Sequence, residues 1–245
     1  MKLSIVIPAY NEEGSITETL TDLYQAVNAA GIDHEIVVVN DNSKDNTAAI
    51  LEELKSRIPT LVYYTNKGPN GFGYAVQYGL NRFNGDCVAI MMADLSDSPE
   101  DLIRFYHKMQ EGFDCVFGSR WIKGGRVVDY PPLKKWMNRL ANRIVQVTFR
   151  LKYNDCTNAF KLYKRETIEG LKPFMSPHFN LTLELPLKAI VRGYSYTVLP
   201  NSWMNRKHGE SKLKIKEMGS RYFFIMMYCL IEKYFSRGDF RKKQD

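Results

Sequence analysis

The first half of the chain alternates short apolar runs with stretches whose apolar residues recur at helical spacing. "LSIVIPAY" (3–10) reads as a strand, and a helix follows from about Ser15 to Ala30 with Ile16, Leu20, Leu23 and Val27 on one face. "EIVVVND" (35–41) is β-branched and continuous, as a strand covered on both faces should be. "SKDNTAAILEELKSRI" opens with polar capping residues and continues in good helix formers. "TLVYYTN" (60–66) is a third strand, "FGYAVQYGLNRF" a third helix and "CVAIMMAD" (87–94) a fourth strand. "SPEDLIRFYHKMQEG" predicts a helix with Pro99 near its start and Gly112 at its end, and "FDCVFGSR" (113–120) a fifth strand. Such alternation specifies an α/β fold: a Rossmann-like, mostly parallel sheet flanked by helices. Ligands of such sheets bind beyond the carboxyl ends of the strands. That rule aligns Pro8, Tyr10 and Asn11 with Asp41 and Asn42, with 66–73, and with Asp94 and Asp97.

After Arg120 the pattern changes. Residues 131–152 place Leu133, Trp136, Met137, Leu140, Ile144, Val147 and Leu151 at helical spacing, opposite Lys134, Lys135, Arg139, Arg143 and Arg150, with no acid. A basic amphipathic helix with Trp on its apolar face suits a membrane surface, and equally a helix packed on the sheet with a solvated basic face. Residues 222–231, "YFFIMMYCLI", are ten apolar residues, about half the ~20 needed to span a bilayer. They predict an interfacial, partner-binding or core helix, and the basic tail "SRGDFRKKQD" suits an anionic surface nearby. The expected organisation is one domain over 1–212, with halves at 1–119 and 120–212, followed by an apolar helix and basic tail over 213–245.

Charge sharpens this division. The net +7 splits into −9 over residues 1–119 and +16 over 120–245. A basic half beside an acidic one points to a polyanionic partner: nucleic acid, anionic lipid or a phosphorylated substrate. No nucleic-acid-binding motif accompanies the basic residues, so nucleic acid is not expected. The four cysteines form no C-x-x-C pair and read as reduced thiols of a cytoplasmic protein, and the N-terminus reads as a strand rather than a signal peptide.

Candidate chemistry gathers at the predicted strand ends. Asp41, followed by Asn42 and Ser43, could accept hydrogen bonds from a base or ribose, or could serve the turn alone. "NKGPNGFGYA" (66–75) is a glycine-rich turn that could admit a diphosphate or sugar, but it matches neither G-x-G-x-x-G nor a P-loop. In "MADLSD", a strand-terminal Asp94 can bind Mg²⁺ or Mn²⁺ bridging to phosphate oxygens, whereas Asp97 or Ser96 reads at least as well as a helix cap. "NRKHGESKLK" (205–214) groups Arg206, Lys207, His208, Lys212 and Lys214 as a possible phosphate clamp or a solvated basic face.

In this order, "SIVIPAYNEE", "EIVVVNDNSKDNT", "MADLSDSPEDL", "VFGSR", "DCTNAFKLYKRE" and "GESKL" resemble the inverting family 2 glycosyltransferases of GT-A fold, specifically their dolichol-phosphate mannose synthase branch. The resemblance covers about residues 3 to 213. It implies a nucleoside-diphosphate sugar donor, a divalent cation (Mg²⁺ or Mn²⁺) and a polyprenyl-phosphate acceptor, dolichyl or undecaprenyl, at the cytoplasmic membrane face. It further implies peripheral membrane association, with a small membrane-protein partner or a homo-oligomer as possible company. By motif position Pro8, Tyr10, Glu12 and Asp41 would hold base and ribose. Asp94 would bind the metal with Asp97 assisting, and Arg120 and Arg206 would grip phosphates with Ser211 and Lys212 nearby.

A phosphate monoester is already anionic near neutral pH and attacks without a strong general base, so the implied protein supplies positioning, charge screening and a metal. In-line attack would invert the anomeric carbon. Met92 and Ser96 stand where this branch usually carries Asp and Gln, Asn40 replaces the first Asp of its Asp-Asp pair, and Asn158-Ala159 replaces Ser-Gly. Two other functions compete: transfer to a saccharide or cell-surface glycan, which needs a base such as an Asp, a Glu, His178 or His208, and a non-catalytic nucleotide-sugar-binding module.

Overall fold

A computed structural model describes residues 1–206 and 215–242, with the side chains of 215–218 left undescribed. Strands β1 (Leu3–Ala9), β2 (His34–Asn40), β3 (Leu61–Thr65) and β4 (Cys87–Ile90) alternate with helices α1 (Ile16–Ala29), α2 (Thr47–Arg57) and α3 (Phe72–Leu80). Next come α4 (Pro99–Met109), β5 (Cys115–Ser119), β6 (Arg126–Val128), α5 (Pro132–Phe149), β7 (Lys161–Lys164) and α6 (Arg165–Leu171). The described chain ends with α7 (Leu181–Val191), β8 (Tyr196–Pro200), β9 (Ser202–Met204) and α8 (Ile215–Phe235).

Seven strands form one sheet in the order β3-β2-β1-β4-β7-β5-β8, parallel except where β7 inserts antiparallel between β4 and β5. The parallel pairs bury both faces. In β1, Ile5 and Ile7 join a core with Leu20 and Leu23 of α1 and Leu102 and Phe105 of α4. Val6 of the same strand faces the other way, into a core with Val76, Leu187 and Ile225. Period-two alternation with apolar residues on both sides is why these strands read as continuous hydrophobic runs.

The fourth strand is shorter than 87–94: it stops at Ile90, so Asp94 lies four residues past its end. The reason is local. Asp97 Oδ2 accepts from the Met92 amide at 3.0 Å, which takes that donor out of the ladder. Leu95 then adopts φ 61°, a left-handed conformation uncommon for any residue but glycine or asparagine. Three contacts hold this turn against the sheet's end: Met204 N donates to Ser96 O at 3.1 Å, Asp97 bridges to Trp203, and Ser202 N donates to Asp101 at 2.5 Å. The early end of β4 also explains Pro8. Val6 O accepts from Met91 and Ala9 O from Asp41, so the even positions of β1 face β4. Pro8, which has no N–H, therefore faces the gap where β4 has already ended.

Helix α4 is capped by Ser98, whose Oγ accepts from Asp101 N, with Pro99 at its first position. The capping role expected of Asp97 or Ser96 belongs to Ser98 instead, which leaves Asp97 free to pin the turn.

Helix α5 does not lay its apolar stripe on the sheet. Leu133, Trp136, Leu140, Ile144 and Val147 are exposed, while Asn142, Val145 and Phe149 form its buried side. Helix α8 buries Ile225, Cys229 and Glu232 and exposes Phe223, Phe224, Met227, Ile231, Tyr234 and Phe235. Among the described residues no helix is long and apolar enough to cross a membrane. The tail folds back on the domain: Lys242 pairs with both oxygens of Asp114 at 3.0 Å, and Arg192 clamps Glu232 of α8 through bonds of 2.7 and 2.9 Å. Lys242 of the basic tail is thus engaged with the domain itself.

Candidate active site

Two clefts open at the carboxyl ends of the strands and meet at Met92, Phe179 and Arg206, which line both. The first, of about 360 Å³, is lined by Pro8, Tyr10, Glu12 and Asp41 together with Asn70, Gly71, His178 and Arg221. The second, of about 180 Å³, is lined by Asp94, Ser96, Asp97, Arg120, Tyr130, Lys134, Trp203 and Tyr222.

The first cleft owes its shape to a network around Asp41. Its Oδ1 accepts from Asn66 Nδ2 and its Oδ2 from Gly71 N, both at 2.7 Å. Asn66 also donates to Pro69 O at 2.9 Å and accepts from Gly68 N at 3.0 Å, so one buried carboxylate and one buried amide fold the whole 66–71 turn. Asn40, the departure from an Asp-Asp pair, accepts from Ser43 N at 3.0 Å and closes the neighbouring turn. A Cβ at Gly73 would lie 2.3 Å from Ser176 O, so only glycine lets 176–178 pack on this turn. That packing brings His178 and Phe179 into the cleft, where Phe179 stacks on Phe72 with ring centres 4.3 Å apart.

In the second cleft both arginines are paired with carboxylates. Arg120 binds Asp155 through Nε (2.8 Å), Nη2 (2.7 Å) and its own backbone N (3.0 Å). Burial works against the guanidinium charge, but the Asp155 carboxylate more than offsets it and raises the pKa further. Asp155 is itself held in a loop pinned by Lys161, whose ammonium donates to the carbonyls of Cys156 and Thr182 at 3.1 Å and to that of Asn158. Arg206 Nη2 lies 2.6 Å from Asp94 Oδ2, and its Nη1 lies 4.0 Å from Glu12. Asp94 Oδ1 accepts from Ser96 N at 3.2 Å, and the buried Ser96 hydroxyl has no hydrogen-bond partner among the described residues.

Asp97 is pushed up to about 7, chiefly by burial and further by the charge of Asp94, with the Met92 hydrogen bond opposing. Between the unfolded carboxylate value near 4 and 7, the folded protein holds a proton that the unfolded chain has lost. Stability of the ligand-free protein therefore falls as pH rises through that window, by at most about 1.4 kcal/mol per pH unit. Asp97→Asn flattens this dependence in urea melts taken at pH 5 and pH 8; an unchanged slope would refute the assignment.

The donor set suits a cation brought in with substrate rather than one held in a preformed cage. Asp94 and Asp97 are the carboxylates lining the second cleft, and among the described residues no group of three His, Cys, Asp or Glu side chains could hold a metal ion. Mg²⁺ characteristically takes one or two carboxylates plus substrate phosphates and water, a demand these two residues meet. Met92 puts a thioether where a further carboxylate would stand.

Residues 4–171 match the family model described as glycosyl transferase family 2. The chain belongs to that family. The dolichol-phosphate mannosyltransferase of Pyrococcus furiosus is 33% identical over 221 residues, which are 88% of this chain and 60% of that protein. The polyprenol monophosphomannose synthase of Mycolicibacterium smegmatis is 30% identical over 215 residues, 85% of this chain and 80% of that protein. This family 2 chain thus spans about three-fifths of the Pyrococcus protein. Its fold is GT-A: the structure of glucosyl-3-phosphoglycerate synthase from Mycobacterium tuberculosis, solved with Mn²⁺, UDP and phosphoglyceric acid, matches with a TM-score of 0.67 at 17% identity, covering 95% of this chain and 78% of that one. A structure described only as a mycobacterial protein matches with a TM-score of 0.68 at 17% identity, covering 95% and 74%.

Each site residue expected from sequence within the described chain lines one of the two clefts. Ser211, Lys212 and His208 lie outside the described residues. Sequence reasoning assigned no role to Asp155, Phe179 or Arg221. Asp155 stands in a quoted motif, but nothing in its spacing pairs it with Arg120, 35 positions away.

Proposed function

We propose that this family 2 chain is an inverting transferase that moves a sugar from a nucleoside-diphosphate sugar to a polyprenyl phosphate at the cytoplasmic membrane face. The observation that carries the reading is where the second cleft opens. Pro131, Lys134 and Asn138, at the start of α5, line it, while Leu133, Trp136 and Leu140 of the same turns are exposed. A lipid phosphate reaching Arg120 and Arg206 would leave its chain along that apolar, basic face. The names of the two curated relatives agree with such an acceptor.

Pro8, Tyr10, Glu12 and Asp41 enclose the nucleoside in the first cleft, and the sugar lies where the clefts meet, beside Met92 and Arg206. Asp94, with Asp97 assisting, would hold Mg²⁺ or Mn²⁺. Such a cation, when bound, neutralises the leaving diphosphate. Arg120, immobilised by Asp155, presents a fixed cation to the acceptor phosphate and so orients it for in-line attack without a base. The test is transfer of radiolabel from a panel of nucleotide sugars into organic-extractable lipid. Label passing into water-soluble or polymeric product overturns the lipid acceptor.

One observation favours a hydroxyl acceptor: Asp97 lines the second cleft and titrates near 7, the range of a general base. Against it, Asp97 is buried and already accepts the Met92 amide. His178, the candidate histidine base among the described residues, lies against Gly71 and Tyr74 in the first cleft.

The membrane reading has its own test. Trp136→Ser with Phe223→Ser is expected to weaken binding to vesicles containing phosphatidylglycerol by at least about tenfold, since each aromatic contributes roughly 2 kcal/mol when buried. Binding to neutral vesicles should be weak throughout, because α5 carries four basic residues and no acid. Unchanged sedimentation with anionic vesicles would refute the surface.

A further inference from the structure

Asp94 and Arg206 form a contact that joins the proposed metal ligand to the proposed phosphate clamp. The Asp94 side chain is 5% exposed and its Oδ2 lies 2.6 Å from Arg206 Nη2, while Oδ1 accepts from Ser96 N. A carboxylate this buried is costly without a counter-charge, so in the ligand-free protein Arg206 supplies it. Arg206 also lines both clefts and has Glu12, at 4.0 Å, as a second acid on the first-cleft side. Met92, which borders the same junction, offers no further charge to hold an ion.

We propose that Arg206 is a displaceable counter-cation for Asp94: it occupies the carboxylate until a divalent cation arrives with the donor diphosphate, and then transfers to the phosphate. The inference rests on the metal role of Asp94 proposed above. Charge accounts for the coupling. A divalent cation entering alone must displace the guanidinium and lie beside it, two cations in one narrow cleft. A cation entering with a diphosphate brings the anion that receives the guanidinium, so both positive groups keep partners. Metal and diphosphate therefore bind synergistically, each raising affinity for the other by the same factor. The exchange also keeps the metal site closed to free cations, in a chain whose site has few carboxylates to select among them.

The test measures Mn²⁺ alone, without nucleotide, binding to the full chain by electron paramagnetic resonance of the free ion. Wild type should bind weakly, Arg206→Gln at least about tenfold more tightly because the competing charge is gone, and Arg206→Lys about as weakly as wild type. The double variant Asp94→Asn with Arg206→Gln should lose the gain. If Arg206→Gln binds Mn²⁺ within about twofold of wild type, the exchange is overturned. If the double variant binds as tightly as Arg206→Gln, Asp94 is not the ligand and the metal assignment itself fails. Thermal melts of each variant confirm folding, and Arg206→Lys keeps the comparison valid should Arg206→Gln melt early.

Discussion

Asp94→Ala is expected to lower kcat for sugar transfer by about 10²–10³-fold, the scale of losing one group that stabilises charge in a transition state. The variant removes the carboxylate proposed to hold the cation and strands Arg206 without its 2.6 Å partner. On the proposed role the affected step is departure of the diphosphate, so the loss should fall on kcat more than on the KM for the donor. Label incorporated into organic-extractable product, measured across a Mn²⁺ titration, reads both quantities. Activity within about threefold of wild type, with the same metal response, would remove Asp94 from the mechanism. The variant also loses the Arg206 pair and the Ser96 N hydrogen bond, so its activity is measured at a temperature below the onset of its own melting curve.

The second large effect is on stability. Asp155→Ala should cost about 3–5 kcal/mol, because it leaves the Arg120 guanidinium buried and uncompensated. The pair is bidentate, with Asp155 wholly inaccessible, and Asp155 also accepts the Arg120 backbone N–H, so three bonds are lost together. Urea melts of the single variant and of Arg120→Met with Asp155→Leu separate two roles. The double variant replaces both charges by apolar volume and should recover most of the lost stability. It should nonetheless fail to transfer sugar if Arg120 serves the acceptor phosphate as proposed. A double variant that is stable and active would show that Arg120 serves only the fold.

Much of the scaffold was legible in the chain's periodicity. Strands β1, β2 and β3 and helices α1 to α4 follow from apolar runs and helical spacing, because a sheet covered on both faces demands continuous hydrophobic strands. The position of β7 was not legible. An antiparallel strand of four residues, "KLYK", inserted between β4 and β5, is determined by pairing with residues some 75 and 45 positions away. The end of β4 was likewise hidden. Nothing local announces that the Met92 amide leaves the ladder, since its partner is a side chain beyond a left-handed Leu95.

The basic amphipathic helix shows the same division. Its stripe of Leu133, Trp136, Leu140, Ile144 and Val147 was plain from spacing, but spacing alone allowed it to pack inward or outward. The fold turned it outward by burying Asn142, Val145 and Phe149 instead.

By itself, then, the sequence determined the layered α/β order, the family, and the residue types gathered at one sheet edge. These rest on short-range pattern and on motifs that are continuous along the chain. Only the tertiary structure decided which charges meet. Arg206 reaches Asp94 because β9 pins the turn after β4, and Arg120 is fixed by Asp155 from a loop 35 residues on. Ion pairs of that range depend on chain crossings that no local pattern encodes, and they convert a list of candidate carboxylates and arginines into two adjoining clefts in which Arg120 and Arg206 already have carboxylate partners.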